Sequence, residues 1–521
     1  MMRRSISSVA LLFASVSAIL GSGWLFAAYY TSIITGPSAI LSWLIGGFLV
    51  GVVAFTFAEL SAMIPITGSS SRIPHYTHGT VVSFLFAWII WLSYASLAPT
   101  EVQAVLQYLS YFFPSLTQHD TGALTGTGYI GATILMVIVS AINIFSLRWL
   151  LRANNMLTIL KLLIPIVISI AILFLFLGNG QHIAFEKLGF FPAGGHGVFA
   201  AIAAGGIVFA FNGFKQACEM AGEAKKPKRS LPIAIIGSII ICLIIYLLLQ
   251  FAFLSSVHGN NLMHGWASLH LVGSNSPFAS VLATEHRPIL LSLLYLGAIV
   301  GPLAAGLMYV SSASRSLYGM SKNDYIPLIF QKLTTQGNPV VGILVNFVLG
   351  MLMFLPLPGW DKMVTFLTSL MAITYSIAPI CLLSLRGQAP DQLRPFKLPF
   401  IKLWSWAAFY ICTLLMYWSG WDIISKLGIS LLIGLAILFT YHFGTKRGRE
   451  LKFDWKPSIW MWPYFIGISI ISYLGNFGHG RNILPFGWDF IVIAAFCVFI
   501  LWLSQKYKLP AQKTQAFLNE L

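Results

Sequence analysis

Gly21-Ser22-Gly23 falls in the middle of the apolar stretch SVSAILGSGWLF, and Gly205, Gly206, Asn212 and Gly213 interrupt a second apolar stretch, GGIVFAFNGF. Glycine and serine weaken a helix at such points. Backbone groups freed there are tolerated at membrane depth only where they face protein or a wet cavity. A helix broken at mid-depth offers N–H groups at one half-helix end, which suit a carboxylate. It offers carbonyls at the other, which suit an ammonium. The chemistry would be recognition of a zwitterion. Either stretch alone could equally be a small-residue packing face between helices; the two together favour a binding site.

Several ionisable residues sit in apolar surroundings. Lys161 lies inside NNMLTILKLLIPIVIS. A buried ammonium is costly and readily gives up its proton, so it can carry one; the alternative is a lysine snorkelling to the nearer interface. Glu101 and Glu59 are intramembrane carboxylates, with Glu101 a proton partner or a packed neighbour of the site. Lys215 follows the second break by one turn, where a cation would favour a substrate with an acidic side chain. A solvated vestibule is its other reading. Glu219 and Glu223, beside Lys225, Lys226 and Arg229, read as gate ion pairs or a solvated face. His75 and His78 give H-x-x-H without a carboxylate or cysteine to complete a metal site, so no metal is expected.

The elements that must hold these residues are long apolar runs. The chain has 521 residues, 57% hydrophobic and only 9% charged, with mean hydropathy +0.82. Soluble domains carry about 25% charged residues. Runs such as 233–254 match the roughly 20 residues a helix needs to cross a bilayer, and are too long for barrel strands. The runs predict about fourteen spans, near 6–34, 38–64, 80–112, 128–147, 154–178, 198–222, 231–256, 289–319, 339–357, 362–384, 403–422, 425–443, 459–475 and 486–503. The last two could instead form one re-entrant hairpin.

This threading sorts the basic residues. Arg3, Arg4, Arg148, Arg152, Lys225 to Arg229, Arg386, Arg394, Lys446 to Lys456, Lys506 and Lys508 fall on the side of the termini, whereas Lys187, Arg287, Lys362, Lys426 and Arg481 fall opposite. Positive residues stay cytoplasmic. The net charge of +16 is thus a topology signal that places both termini inside, and no nucleic-acid partner is expected. The two broken spans are the first and sixth. Five is odd, so the second enters from the opposite side, as in a 5+5 inverted repeat with its site between the broken helices.

Five ordered motifs resemble those of the amino acid–polyamine–organocation (APC) transporter superfamily over residues 1 to about 400. They are Gly21-Ser22-Gly23; Phe57-Ala58-Glu59-Leu60 with Ile64-Pro65 and Gly68; Phe209 to Phe214 with Glu223 to Pro227; Ser314 to Met320 with Asp324 and Pro327; and Arg394-Pro395-Phe396-Lys397-Leu398-Pro399. The extended pattern is most similar to the branch containing aspartate–proton symporters. The resemblance implies an all-α polytopic fold in three parts. A core of ten helices would span 1–400, with repeats near 6–178 and 198–384, followed by further helices over 401–505 and a cytoplasmic tail over 506–521. It implies that the backbone of Ile19, Gly21, Ser22 and Gly23, and that of Phe209, Ala210, Phe211 and Asn212, holds the substrate's carboxylate and amine. Phe209 would be an aromatic gate, or else a packing residue. Lys161 would stand where sodium-coupled relatives bind sodium, which implies proton coupling. Glu59 would be structural. Lys215 departs from the family, which often has an acidic or polar residue there.

The expected function is secondary active transport of amino acids by proton symport, with aspartate and glutamate as the candidate substrates, in a cell membrane, bacterial inner membrane by the resemblance. Exchange and non-transporting sensing stay open, as does the oligomeric state. No filter loop suggests a channel. No P-loop, G-x-S-x-G or H-E-x-x-H suggests an ATPase or membrane enzyme, and no cofactor is expected. The five cysteines form no C-x-x-C pair, and no cleavable signal is recognised.

Overall fold

The computed structural model describes residues 6–66, 69–118, 121–145, 147–177, 189–257, 262, 265–269, 271, 276–335 and 337–520, with 147–156 as backbone only. Arg3, Arg4, Gly68 and Lys187 lie outside the described residues, as do the side chains of Arg148 and Arg152.

Among the described residues the chain is helical, without strands, and each expected span coincides with helix. The first span is α1 (Ser8–Ile19) and α2 (Gly23–Thr35), followed by α3 (Ala39–Met63), α4 (Ser69–Leu109), α5 (Gly126–Phe145) and α6 (Leu147–Leu177). The sixth span is broken into α7 (Gly194–Ala204), α8 (Ile207–Ala210), a 3₁₀ turn (Asn212–Lys215) and α9 (Gln216–Glu219). Then come α10 (Pro227–Ser256), a short α11 (Pro277–Thr284), α12 (Pro288–Lys322), α13 (Val340–Met353) and α14 (Trp360–Gln388). The last part comprises α15 (Ile401–Trp418), α16 (Trp421–Gly444), α17 (Lys446–Glu450), α18 (Met461–Leu474), α19 (Trp488–Tyr507) and α20 (Ala511–Asn519). Among the described residues, nine helices are long and apolar enough to cross a membrane, or ten counting the bent sixth span; α2 and α3 count there as one 41-residue run. This is a multi-pass membrane protein.

The two broken spans run antiparallel. Ile6 N–H donates to Glu223 O at 3.0 Å and Lys225 N–H donates to Ile6 O at 2.9 Å, which joins the start of the first span to the end of the sixth. The last two spans form an antiparallel pair of helices. Trp460, before α18, packs on His78 at 5.8 Å between ring centroids, and the Ser504 backbone near the end of α19 meets the same histidine.

Two features depart from the expected outline. Helix α4 begins eleven residues before the expected span, at Ser69, and bends at Gly79, whose φ of 75° only glycine adopts without strain. A Cβ there would also meet the Asp454 side chain. Residues 506–521, expected as a tail, carry the docked helix α20. Thr514 Oγ1 donates to Tyr76 O at 2.8 Å, Leu509 N–H to Thr77 O at 2.9 Å, and Phe517 packs on His75.

Glu59 ties α3 to the loop after α14. Its carboxylate accepts from Arg386 at 2.7 Å and from Leu398 N–H at 2.7 Å, with Arg394 at 3.9 Å. Arg394 in turn donates to the carbonyls of Leu385, Ala389, Pro390 and Gln392. The P-F-x-L-P loop is thereby pinned to the end of a span, a structural role for Glu59.

Candidate functional site at the crossing of two broken helices

Helix α1 ends at Ile19 and α2 starts at Gly23, which leaves the last carbonyls of α1 and the first N–H groups of α2 without helical partners. Four of the groups at the break meet a side chain from another helix. Lys161 Nζ, on α6, donates to Ser17 O at 2.9 Å and Ser17 Oγ at 3.3 Å. Tyr309 OH, on α12, donates to Ala18 O at 2.7 Å. Tyr246 OH, on α10, lies between Ile19 O at 2.9 Å and Ala210 O at 3.1 Å, and so bridges the two breaks. On the other half, Ser22 N–H donates to Glu101 Oε2 at 2.7 Å. A carboxylate is thereby held on the N-terminus of α2, where its charge meets the helix dipole.

The glycines explain how closely the pieces cross. A Cβ on Gly21 would run into the Glu101 carboxylate, and one on Gly213 into the backbone of Ala18 and Ile19. A Cβ on Gly23 would come within 3.1 Å of the Ala210 Cβ. Gly206, in the left-handed region at φ 91°, turns the chain between α7 and α8. Glycine interruption thus serves backbone-to-backbone approach as well as unwinding.

The junction is closed on both flanks. On the α2 side, Trp360 Nε1 donates to Ser22 Oγ at 2.8 Å, and the indole stacks on Phe26 and Tyr30 with centroids 4.9 and 5.5 Å away. Phe209 meets the same indole edge-on at 5.6 Å. On the α9 side, Asn212 Oδ1 accepts from Tyr375 OH at 3.1 Å. Lys215 Nζ donates to Thr374 Oγ1 at 3.0 Å and lies over the rings of Tyr375 and Tyr94, at 4.9 and 5.4 Å. Glu219 accepts from Tyr94 OH at 3.2 Å and from Ser70 Oγ.

These placements bear on several readings of the sequence. Lys161 is 3% exposed and turned onto α1, so it does not snorkel. Lys215 is 1% exposed, so it is not solvated in a vestibule. Glu219 is half-buried, and among the described ion pairs none includes it. Lys161 and Glu101 are each other's charged neighbours across the break. The Phe211 ring packs away from Ser22, edge-on to Trp43 and Tyr246 at 5.9 and 5.5 Å, so only its backbone belongs to the break. Ile19, Gly21, Ser22, Gly23, Phe209, Ala210 and Asn212 come together at one crossing.

Sequence reasoning missed Trp360, Tyr246, Tyr309, Tyr375 and Thr374. Trp360 opens a span directly after Pro358-Gly359, a place where tryptophan ordinarily marks the bilayer interface. A usable signal existed for Tyr246: it and Gln250 break an otherwise aliphatic run. Gln250 accepts from Thr31 Oγ1 at 2.7 Å and Trp43 Nε1 at 2.9 Å, so its amide oxygen is spent on polar partners from α2 and α3.

The chain matches the family model described as "Amino acid permease" over residues 6–423. It is 34% identical over 515 residues to the glutamate/serine transporter AimA of Bacillus subtilis (strain 168), which covers 96% of this chain and 93% of the relative. It is 33% identical over 510 residues to the aspartate-proton symporter of the same organism, at 98% and 97% coverage. The branched-chain amino acid permease BcaP of that organism is 27% identical over 458 residues, at 84% and 93% coverage. Both of the first two alignments run well past residue 423, through the added helices. The chain therefore belongs to the amino acid permease family of the APC superfamily, and is an amino acid transporter rather than an enzyme.

Proposed function

We propose that this transporter is a proton-coupled symporter of acidic amino acids, working by alternating access from a cell membrane with both termini in the cytoplasm. In this reading the repeats lie near 6–178 and 198–384, and the substrate is held at the crossing of the broken spans. The observation that carries it is the Lys161 ammonium on Ser17 O and Ser17 Oγ, with the Glu101 carboxylate on Ser22 N–H one turn further on. A protein cation already occupies the carbonyl end of α1, and a protein anion already occupies the N–H end of α2.

The two occupants define a competition. An amino acid needs N–H groups for its carboxylate, and Glu101 holds Ser22 N–H. Both carboxylates cannot take the same donor, and two adjacent negative charges repel. Protonation of Glu101 removes the repulsion and weakens its hold, since a neutral acid is the poorer acceptor. Lys161 completes the reset: once its ammonium has released a proton to the cytoplasm, the neutral amine takes up the proton from Glu101, so one proton moves inward per cycle. The substrate ammonium then replaces the tyrosine hydroxyls on Ala18 O, Ile19 O or Ala210 O. Phe209 and Trp360 cover the substrate on the α2 side.

Selectivity for an acidic side chain rests on Lys215. Its ammonium is held by one hydroxyl and two ring faces, and the nearest carboxylate, Glu219, is already taken by Ser70 and Tyr94. A second substrate carboxylate has an ammonium to meet there. The names of two relatives, an aspartate-proton symporter and a glutamate/serine transporter, are consistent with acidic substrates. The segregation of lysine and arginine to one side supports cytoplasmic termini.

The test is uptake of radiolabelled aspartate, glutamate, serine and leucine into proteoliposomes, with an imposed pH gradient and with sodium varied. Aspartate and glutamate should accumulate when the outside is acidic, with or without sodium. Accumulation that follows sodium and ignores the pH gradient would overturn the coupling reading.

A further inference from the structure

The ends of α14 and α19 and the start of α15 enclose an open groove of about 620 Å³ on the protein's periphery. Its walls are apolar, with Leu383, Ile401, Val498 and Leu501 beside the indoles of Trp406 and Trp502. Val498 and Trp502 are both 55% exposed, so this wall looks outward to where acyl chains run. Its rim carries Arg386, Lys402 and Lys508, and no acidic residue lines it. The Lys506 ammonium, one turn from Trp502, lies over that indole at 4.9 Å. Tryptophan beside lysine marks the depth of the headgroups.

The three rim cations have spare capacity. Lys508 Nζ donates to the neutral Gln505 Oε1 at 3.3 Å and leans across Gly387, where a Cβ would be 2.9 Å away. Burial lowers its ammonium below the usual lysine range with no acid nearby to offset this. Lys402 takes part in none of the described ion pairs. Arg386 spends its NH2 on Glu59 and Leu398 O, which leaves a buried Nε without a hydrogen-bond partner. A basic rim over an apolar wall has one natural complement, a phosphate with fatty chains attached.

We infer that this groove is a binding site for an anionic phospholipid. The phosphate sits between Lys402 and Lys508, beside the Arg386 guanidinium, and an acyl chain lies along Val498, Leu501 and Trp502. Because Arg386 also grips Glu59, the lipid phosphate and the α3 carboxylate share one guanidinium. An occupied groove therefore braces the joint between α3 and the loop after α14.

The test titrates the full chain in detergent with phosphatidylglycerol, phosphatidylcholine or inorganic phosphate, following thermal midpoint and retained lipid by native mass spectrometry. Phosphatidylglycerol should raise the midpoint saturably; phosphatidylcholine and phosphate should not. Each lysine near an anionic surface contributes enough that Lys402→Gln with Lys508→Gln should weaken the apparent affinity about thirty-fold. Val498→Trp, which keeps every charge and fills the acyl wall, should weaken it too. Neither variant touches the transport machinery, so aspartate uptake in a neutral bilayer confirms that each is folded. Equal stabilisation by phosphatidylcholine, an equal effect of phosphate alone, or wild-type lipid affinity in either variant would overturn the assignment.

Discussion

Two lysines are buried beside the two broken spans, and their surroundings differ in kind. Lys161 is held by a main-chain carbonyl and the hydroxyl of the same residue, at the end of a half-helix. Lys215 is held by a threonine hydroxyl and lies against two tyrosine rings. The first set of partners is what a bound metal cation would use, since carbonyl and hydroxyl oxygens are hard donors. The second is softer and can be exchanged for a carboxylate, because a ring face carries no net charge and attracts a desolvated ammonium by about 2 kcal/mol. Each lysine has a carboxylate near it, Glu101 for Lys161 and Glu219 for Lys215. Glu101 accepts from a helix N-terminus that a substrate would need, whereas Glu219 accepts from Ser70 and Tyr94, which no substrate need disturb. The contrast teaches that burial alone does not say what a membrane lysine is for; its partners do. In the account proposed above, Lys161 manages the proton and Lys215 reads the side chain.

The largest expected effect is at Gly21. Gly21→Leu would drive a side chain into the Glu101 carboxylate and should lower uptake of every substrate by at least about 100-fold, as loss of the site geometry does. Binding of labelled aspartate to the purified variant should fall with it. Next comes Glu101→Gln, which keeps the shape and removes the ionisation. The pH-gradient dependence of uptake should vanish while exchange of internal for external substrate persists. A variant that still concentrates aspartate from a pH gradient would merge the roles of the two regions.

Lys215→Ala should act selectively. Aspartate and glutamate uptake should fall about tenfold, equivalent to about 1.4 kcal/mol, while serine uptake stays within about twofold. Equal losses for serine and aspartate would make Lys215 a packing residue. The smallest effect is expected at Tyr94→Phe, which keeps the ring under Lys215 and removes one hydroxyl from Glu219. One such hydrogen bond is worth about 1 kcal/mol, so aspartate uptake should drop a few-fold.

The sequence made the fold legible because a bilayer imposes a length and a charge asymmetry on each span. The coincidence of hydrophobic runs with helices from α1 to α19 follows from that. The breaks were legible because Gly21, Ser22, Gly23, Gly206 and Gly213 are anomalous in apolar helices. Trp360 was not, since tryptophan at a span's start has a more common explanation at the interface. Tyr246 and Tyr309 were hidden because one hydroxyl in a long apolar helix can face lipid, a neighbour or a break, and only the three-dimensional crossing decides. The docking of α20 rests on Phe517 and Thr514 meeting α4, contacts more than 400 residues apart that no local pattern encodes. Whether Lys161 snorkels or turns inward depends on helix rotation, which the apolar residues that follow it do not reveal.

The central claim is that Lys161 couples the proton rather than merely supporting α1. Lys161→Ala in proteoliposomes tests it most directly, with pH-gradient-driven accumulation of aspartate and counterflow of aspartate measured on the same preparation. The account predicts that accumulation is lost while counterflow continues. Accumulation at the wild-type level, following the pH gradient as before, would contradict it.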